Sequence, residues 1–135
     1  MKRVFVDSNV FLRFFTHDDA GQHNVAARLF RDAAAGKCEL VTGPPVLFEI
    51  AWTLRAAYRL PRQKVLEAIT AIRALPGLRL ADESLVDEAL RAARQSGQEF
   101  ADAYIFASAK ESGADAIATF NRPHFESLGA ALHWA

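Results

Sequence analysis

The chain has 135 residues, about half of them apolar (51%) and about a quarter charged (24%), and its formal net charge is zero. This composition is that of one folded domain with a full hydrophobic core, and it excludes both a disordered chain and a protein that is basic over its whole surface. The single cysteine excludes an internal disulfide and a cysteine-based metal cluster. The start is too short for a signal peptide, and no apolar run approaches membrane-spanning length. We therefore expect one cytoplasmic domain over 1–135 without a membrane segment.

In the first half of the chain, short β-branched runs alternate with helical patterns. Ser8 offers a hydroxyl as helix N-cap, Gly36 is a stop signal, and Pro61 is a helix start. These patterns predict strands at 3–6 and 39–42, and helices from Asn9 to Phe15 with Ser8 as N-cap, over 21–35, after Gly43-Pro44-Pro45, and from Pro61 to Pro76-Gly77.

The second half continues the alternation. The sequence predicts strands at 78–80, 116–119 and 131–134, and helices over 84–96 and 99–112 with Gly97 between them. Strands that alternate with helices favour an α/β fold, in which helices cover both faces of a central, mostly parallel sheet as a three-layer sandwich.

Three acidic residues stand out against apolar neighbours. Asp7 closes the first strand in Val-Phe-Val-Asp-Ser-Asn, Glu49 interrupts an apolar helix in Val-Leu-Phe-Glu-Ile-Ala-Trp, and Asp102 opens another in Phe-Ala-Asp-Ala-Tyr-Ile. An ionised carboxylate on apolar surface is costly unless a partner compensates it. Three such costs in one small chain favour a shared cation over three separate accidents.

The predicted fold gives a reason for these acids to converge. Ligands of open α/β sheets bind beyond the carboxyl ends of the strands, where Asp7 lies. Asp102 falls in a first helical turn, and it shares a helix face with Ile105, Phe106 and Ala109 that we expect to pack on the sheet. Oxygen-only ligands suit Mg²⁺ or Mn²⁺. Taken singly, each acid has an ordinary explanation: a strand-end cap for Asp7, the helix dipole for Asp102, and a surface ion pair for Glu49.

These motifs, in their order and spacing, resemble the PIN-domain ribonucleases and specifically the VapC-like toxins of bacterial toxin–antitoxin pairs. The similarity also includes Ala-Thr-Phe-Asn at 118–121 and covers essentially the whole chain. It implies that Asp7, Glu49 and Asp102 are the metal ligands and that Ser8 supports them. Thr119 matches a Ser or Thr of the family's last strand. RNA as substrate and an antitoxin as partner are further implications of the resemblance.

One position departs from the family pattern. Many members carry a fourth acid where this chain has Asn121, and an amide supplies an oxygen without a charge. We therefore expect one well-held metal rather than two. Glu99 could add a carboxylate, although an acid at a helix start is the simpler explanation.

The surroundings of the predicted site add further candidates. We place Asn9 beside the metal ligands, and Arg13 and Arg122 at the mouth, where they could hold RNA phosphates. The helix that carries Glu49 has a second face, away from its apolar one, with Phe48, Trp52 and Arg55. Aromatic residues beside arginine are typical of a homodimer or antitoxin contact. Burial of this face against a neighbouring helix is an equally good explanation. The four histidines share no spacing that indicates a metal or a catalytic base.

The sequence therefore predicts a Mg²⁺- or Mn²⁺-dependent endoribonuclease that cleaves RNA with a metal-activated water. Two rival functions stay open. One is a PIN-like domain with weak or no catalysis that binds RNA or protein, which Asn121 favours. The other is a phosphatase with Asp7 as nucleophile, although such sites usually need a second Asp where this chain has Asn9.

Overall fold

A computed structural model describes residues 1–134 of the chain. It divides into two compact units, an N-terminal unit over 1–82 and a C-terminal unit that begins at Glu83. The domain predicted over 1–135 includes Ala135, which lies outside the described residues. That the whole chain is one domain stays a prediction.

The N-terminal unit alternates strands and helices as predicted. Its elements are β1 (Arg3–Phe5), α1 (Ser8–Phe15), α2 (Ala20–Ala34), β2 (Glu39–Thr42), α3 (Pro44–Ala56), α4 (Arg62–Arg73) and β3 (Leu78–Leu80). The strands form a parallel sheet in the order β1-β2-β3, with Val4 opposite Leu40 and Leu40 opposite Leu78. Leu40, in the central strand, is fully buried.

Apolar side chains from the helices of this unit complete its core. In α3 they recur every three or four residues, as expected for a helix with one packed face. The largest fully buried side chains of the unit are Phe11, Leu40, Leu47, Ile50, Leu54, Ile69 and Ile72. Phe11 also stacks on Phe30 of α2, with ring centroids 5.4 Å apart.

The C-terminal unit is helical. It contains α5 (Glu83–Ser96), α6 (Phe100–Glu111) and α7 (Arg122–Ser127). Its buried residues are Val86, Ala89, Leu90, Ala93, Phe100, Ala103, Tyr104, Ala107 and Phe125. No helix within residues 1–134 is both long and apolar enough to cross a membrane.

The prediction of two strands in this unit is wrong. The segments 116–119 and 131–134 meet in a single parallel bridge between Ile117 and Leu132 instead of a ladder. Alanine, which occupies 116, 118 and 131, has low β propensity, and one bridge holds too few hydrogen bonds to extend a strand. Helix α7 was missed, although Pro123 in its first turn and Gly129 beyond its end are ordinary helix boundaries.

The buried face of α6 also differs from the expected one. We predicted that Asp102, Ile105, Phe106 and Ala109 pack inward, but the buried side chains are Phe100, Ala103, Tyr104 and Ala107, and Ile105 is half exposed. Both sets have the same helical spacing. Because α6 is apolar almost all round, periodicity does not identify which face is packed.

Gly77 is the most closely packed glycine of the N-terminal unit. Its φ is +79°, and a Cβ at this position would lie 2.4 Å from the carbonyl oxygen of Ala33. Gly36 has the same φ with open space around it, which makes it a matched control.

We expect Gly36→Ala to lower the free energy of unfolding by about 1–2 kcal/mol through the left-handed backbone alone. Gly77→Ala should cost about 3 kcal/mol or more, because backbone must also move. Urea unfolding of both variants measures the difference, and equal losses would contradict the close approach.

Candidate metal centre

Asp7 lies at the carboxyl end of β1. The amide of Val6 donates to the carbonyl of Val41 at 2.9 Å, and the buried Thr42 hydroxyl donates to the carbonyl of Val6 at 3.0 Å. These two bonds hold the end of β1 against β2. Because Asp7 directly follows Val6, the start of α1 is fixed to the same edge of the sheet.

The N-cap of α1 is Asp7, whereas we had predicted Ser8. The Asp7 carboxylate accepts a hydrogen bond from the Ser8 amide at 2.7 Å, and Ser8 is already in the helix. An aspartate satisfies an otherwise unpaired amide at this position and lies at the positive end of the helix dipole. Capping holds one carboxylate oxygen, Oδ1, in place at the sheet edge.

The Ser8 hydroxyl joins this cap to α3. Ser8 is only 5% exposed, and its Oγ donates to Glu49 Oε1 at 3.0 Å. The distance from Ser8 Oγ to Asp7 Oδ1 is 3.5 Å. A hydroxyl has one proton, and the shorter contact identifies Glu49 as its acceptor. Parallel pairing of β1 with β2 explains the contact, because each strand leads directly into a helix and these two helices start side by side.

Asp7 and Glu49 are both exposed, so the prediction that each is a charge on apolar surface is wrong. We had treated them as costly charges on apolar surface, but water solvates both carboxylates and the cost of their charge is small. What distinguishes them is that they share one buried hydroxyl. Two carboxylates and a hydroxyl provide only oxygen ligands, which suits Mg²⁺, an ion that keeps several waters and needs few protein ligands.

Asp102 has a different environment in the C-terminal unit. It is in the first turn of α6, with a side chain 21% exposed, and its Oδ2 lies 3.1 Å from Nδ1 of His124. Nδ2 of Asn121 approaches the same ring nitrogen at 2.7 Å. With a proton on Nδ1 the ring donates to Asp102, and without one it accepts from Asn121. Asn121 and Asp102 are thus both in contact with His124, a residue for which the sequence predicts no role.

The remaining predicted site residues are positioned as follows. The Thr119 hydroxyl accepts from the Asn121 amide at 2.9 Å and so shapes the turn before α7, while Asn9 is exposed on α1. Glu99 is the residue that precedes α6. Among residues 1–134, no group of three or more His, Cys, Asp or Glu side chains could hold a metal. The structure groups Asp7 with Glu49, and the convergence of both with Asp102 stays a prediction.

The two arginines expected at the mouth have acidic partners. Arg13 lies 3.5 Å from Asp18 and donates to Gln22 at 2.7 Å, while Arg122 lies 3.5 Å from Glu126. A hydrogen bond from Tyr58, and a further one from Thr16, hold the pKa of the Asp18 carboxyl below its usual value, so Asp18 stays charged beside Arg13. To contact a phosphate, either arginine would exchange its acidic partner for the substrate.

Comparison with known proteins identifies the family. The PIN domain model matches residues 4–129, which is nearly the whole chain. The chain belongs to the PIN-domain family. This confirms the predicted resemblance and the predicted α/β fold class with a parallel sheet.

Other comparisons add less. One similar solved structure is a crystal structure of Mycobacterium tuberculosis VapC20, described as a sarcin–ricin loop cleaving toxin. Its sequence is 25% identical to that of this PIN domain. The match covers 83% of this chain and 85% of that one, with a TM-score of 0.41. A search of curated proteins gave no match. The family assignment therefore rests on the PIN domain model.

Proposed function

We propose that this PIN-domain protein is a Mg²⁺- or Mn²⁺-dependent endoribonuclease and the VapC-like toxin of a toxin–antitoxin pair. The observation that carries the proposal is the contact of one buried hydroxyl, that of Ser8, with the carboxylates of both Asp7 and Glu49. In a PIN-domain chain, this arrangement supports a cation site at the carboxyl end of the sheet.

Each predicted ligand has a neighbour that orients it. The Ser8 amide holds Asp7, the Ser8 hydroxyl holds Glu49, and His124 contacts one oxygen of Asp102 and leaves the other available. Hydrogen bonds of this kind to the ligands typically contribute about 10- to 100-fold to metal affinity. A divalent cation bound by these carboxylates would activate water for attack on a phosphodiester and stabilise the developing negative charge.

Metal-dependent cleavage of RNA by the purified protein tests the proposal. We expect internal cleavage of single-stranded RNA with Mg²⁺ or Mn²⁺, and none after a chelator removes the metal. Binding of RNA without cleavage at any metal concentration would support the rival non-catalytic domain. Release of phosphate from a monoester, with RNA left intact, would support the phosphatase.

Asn121 gives a prediction about metal affinity. Asn121→Asp adds a charge at a side chain that reaches Asp102 through His124. At an effective dielectric constant near 20, a cation and an anion about 4 Å apart attract by roughly 4 kcal/mol before desolvation and carboxylate repulsion are subtracted. The net gain should be much smaller, but visible in calorimetry as tighter Mn²⁺ binding, and the wild type should need more metal for half-maximal activity.

Asn24→Asp is the control for the Asn121 variant. It adds the same charge at an exposed position of α2, outside the predicted site. Superimposable metal titrations of Asn121→Asp and the wild type would place Asn121 outside the site.

The proposed partners follow from the same family. A small antitoxin would cover the predicted metal ligands, and two copies of the chain would form a homodimer in the cytoplasm. Trp52 of α3, 70% exposed, supports a protein contact on that helix, because large exposed aromatic side chains are enriched in interfaces. A short reading frame directly upstream, encoding a DNA-binding protein with a disordered tail, would support the pairing.

A further inference from the structure

Two aromatic side chains of the C-terminal unit lie against each other in solvent. Phe120 is 94% exposed and Trp134 is 52% exposed, although both are large and apolar. Their ring centroids are 5.3 Å apart and their planes differ by 16°, an offset parallel arrangement. We call this pair the aromatic platform.

The platform is held by the surrounding chain. Arg122 donates a hydrogen bond to the carbonyl of Trp134, which ties the segment after Leu132 to the start of α7. The bridge between Ile117 and Leu132 fixes the two segments that carry the rings. Phe120 and Trp134 are therefore positioned by backbone contacts. Phe120 stays almost fully open to solvent, whereas Trp134 is half exposed and also lies against the His133 ring, with centroids 5.6 Å apart.

Within the C-terminal unit, the platform is close in the chain to the residues that contact Asp102. Phe120 directly precedes Asn121. The side-chain amide of Asn121 contacts His124, and His124 contacts the predicted metal ligand Asp102. Any RNA whose phosphate reaches Asp102 would bring its neighbouring bases close to this turn. Paired bases are already stacked in a duplex, whereas unpaired bases are free to stack on an aromatic side chain.

We propose that Phe120 and Trp134 form a stacking site for an unpaired base of the RNA that reaches Asp102. The inference rests on the proposed ribonuclease function and deepens it. Stacking is tolerant of base identity, because every base has a flat face. The platform would select strandedness and position the backbone near Asp102, without by itself specifying a sequence.

Tryptophan fluorescence tests the proposal directly. The chain has two tryptophans, so Trp52→Phe leaves Trp134 as the only one, and Asp7→Asn in the same protein prevents cleavage. The probe is a single-stranded RNA of about ten nucleotides, within the range of site sizes for such surfaces. A base stacked on Trp134 should quench its fluorescence, and a blunt duplex of the same composition should not. Bound single strands that leave the emission unchanged, or equal quenching by the duplex, would overturn the proposal.

Substitutions of Phe120 give an independent measurement. Phe120→Ala should weaken single-strand binding by about 5- to 100-fold, the range found when a stacking side chain is truncated. Phe120→Tyr keeps an aromatic face and should bind nearly as the parent does. Ile105→Ala is the control, because it removes an exposed apolar side chain of the same unit that is not aromatic. Equal affinities of Phe120→Ala and Phe120→Tyr would reject the stacking site and favour a protein contact at this surface.

The two proposals fail in different ways. Quenching is measured on a protein with Phe120 intact, so it does not depend on how Phe120→Ala folds. If the wild-type enzyme cleaves RNA and no quenching occurs, the platform is rejected and the ribonuclease stands. If quenching occurs and the wild type never cleaves RNA with Mg²⁺ or Mn²⁺, the stacking site stands and the ribonuclease is rejected.

Discussion

Asp7→Asn is expected to abolish RNA cleavage while the protein stays folded. The Asn side chain keeps an oxygen that can accept from the Ser8 amide, so the N-cap of α1 survives. The negative charge that would hold the cation is lost, and with it the stabilisation of charge in the transition state. We expect a loss of at least about 100-fold in the cleavage rate, the scale seen when one such stabilising group is removed.

The same substitution at a second cap is a matched control. Asp19 is the N-cap of α2 and accepts from the Gln22 amide at 3.0 Å, but it is not a predicted ligand. Asp19→Asn should cleave RNA at the wild-type rate, with a similar change in thermal stability. Wild-type cleavage by Asp7→Asn in purified protein with Mg²⁺ would sink the assignment, and so would equal impairment of the two variants.

Asp102→Asn extends this prediction to the C-terminal unit. Its amide can still pair with His124, so we expect the fold to be retained and cleavage to be lost as in Asp7→Asn. Both variants should unfold at the wild-type midpoint or slightly above it, because each removes a like charge if the predicted ligands are close together. Normal cleavage by Asp102→Asn alone would separate Asp102 from the pair formed by Asp7 and Glu49.

Expression of the chain alone is expected to arrest growth of a bacterial host. An endoribonuclease without its inhibitor destroys RNA that the cell needs, and a co-expressed antitoxin that covers the predicted metal ligands should restore growth. Colony counts after induction measure the effect. The proteins compared are the wild type, the wild type with its partner, and Asp7→Asn produced to the same level.

The outcome separates the proposed toxin from its non-catalytic rival. Arrest by the wild type but not by Asp7→Asn ties toxicity to the predicted metal ligand. Harmless accumulation of soluble, folded wild-type protein would favour a PIN-like domain that binds RNA or protein without cutting. Arrest by both proteins would place the toxicity outside the predicted catalytic site.

The sequence by itself determined most of the local structure. Strands at 39–42 and 78–80 lie where the patterns predicted them, because propensity and glycine stops are local signals. The first helix ends at Phe15 as predicted, but it begins one residue before the predicted start and is capped by Asp7. The motifs around Asp7, Glu49 and Asp102 also indicated the PIN-domain family, which the family model confirms. Short motifs in a fixed order carry that information without any knowledge of contacts.

Only the tertiary structure decided which groups meet. The contact between Ser8 and Glu49 spans 41 positions in the chain and depends on the register of β1 with β2. The contact between Asp102 and His124 depends on α7, a six-residue helix. Periodicity could not choose the packed face of α6, since both candidate faces are apolar. A sequence pattern describes the surface of each element, whereas a site is made by the packing between elements, and that packing is fixed by the whole fold.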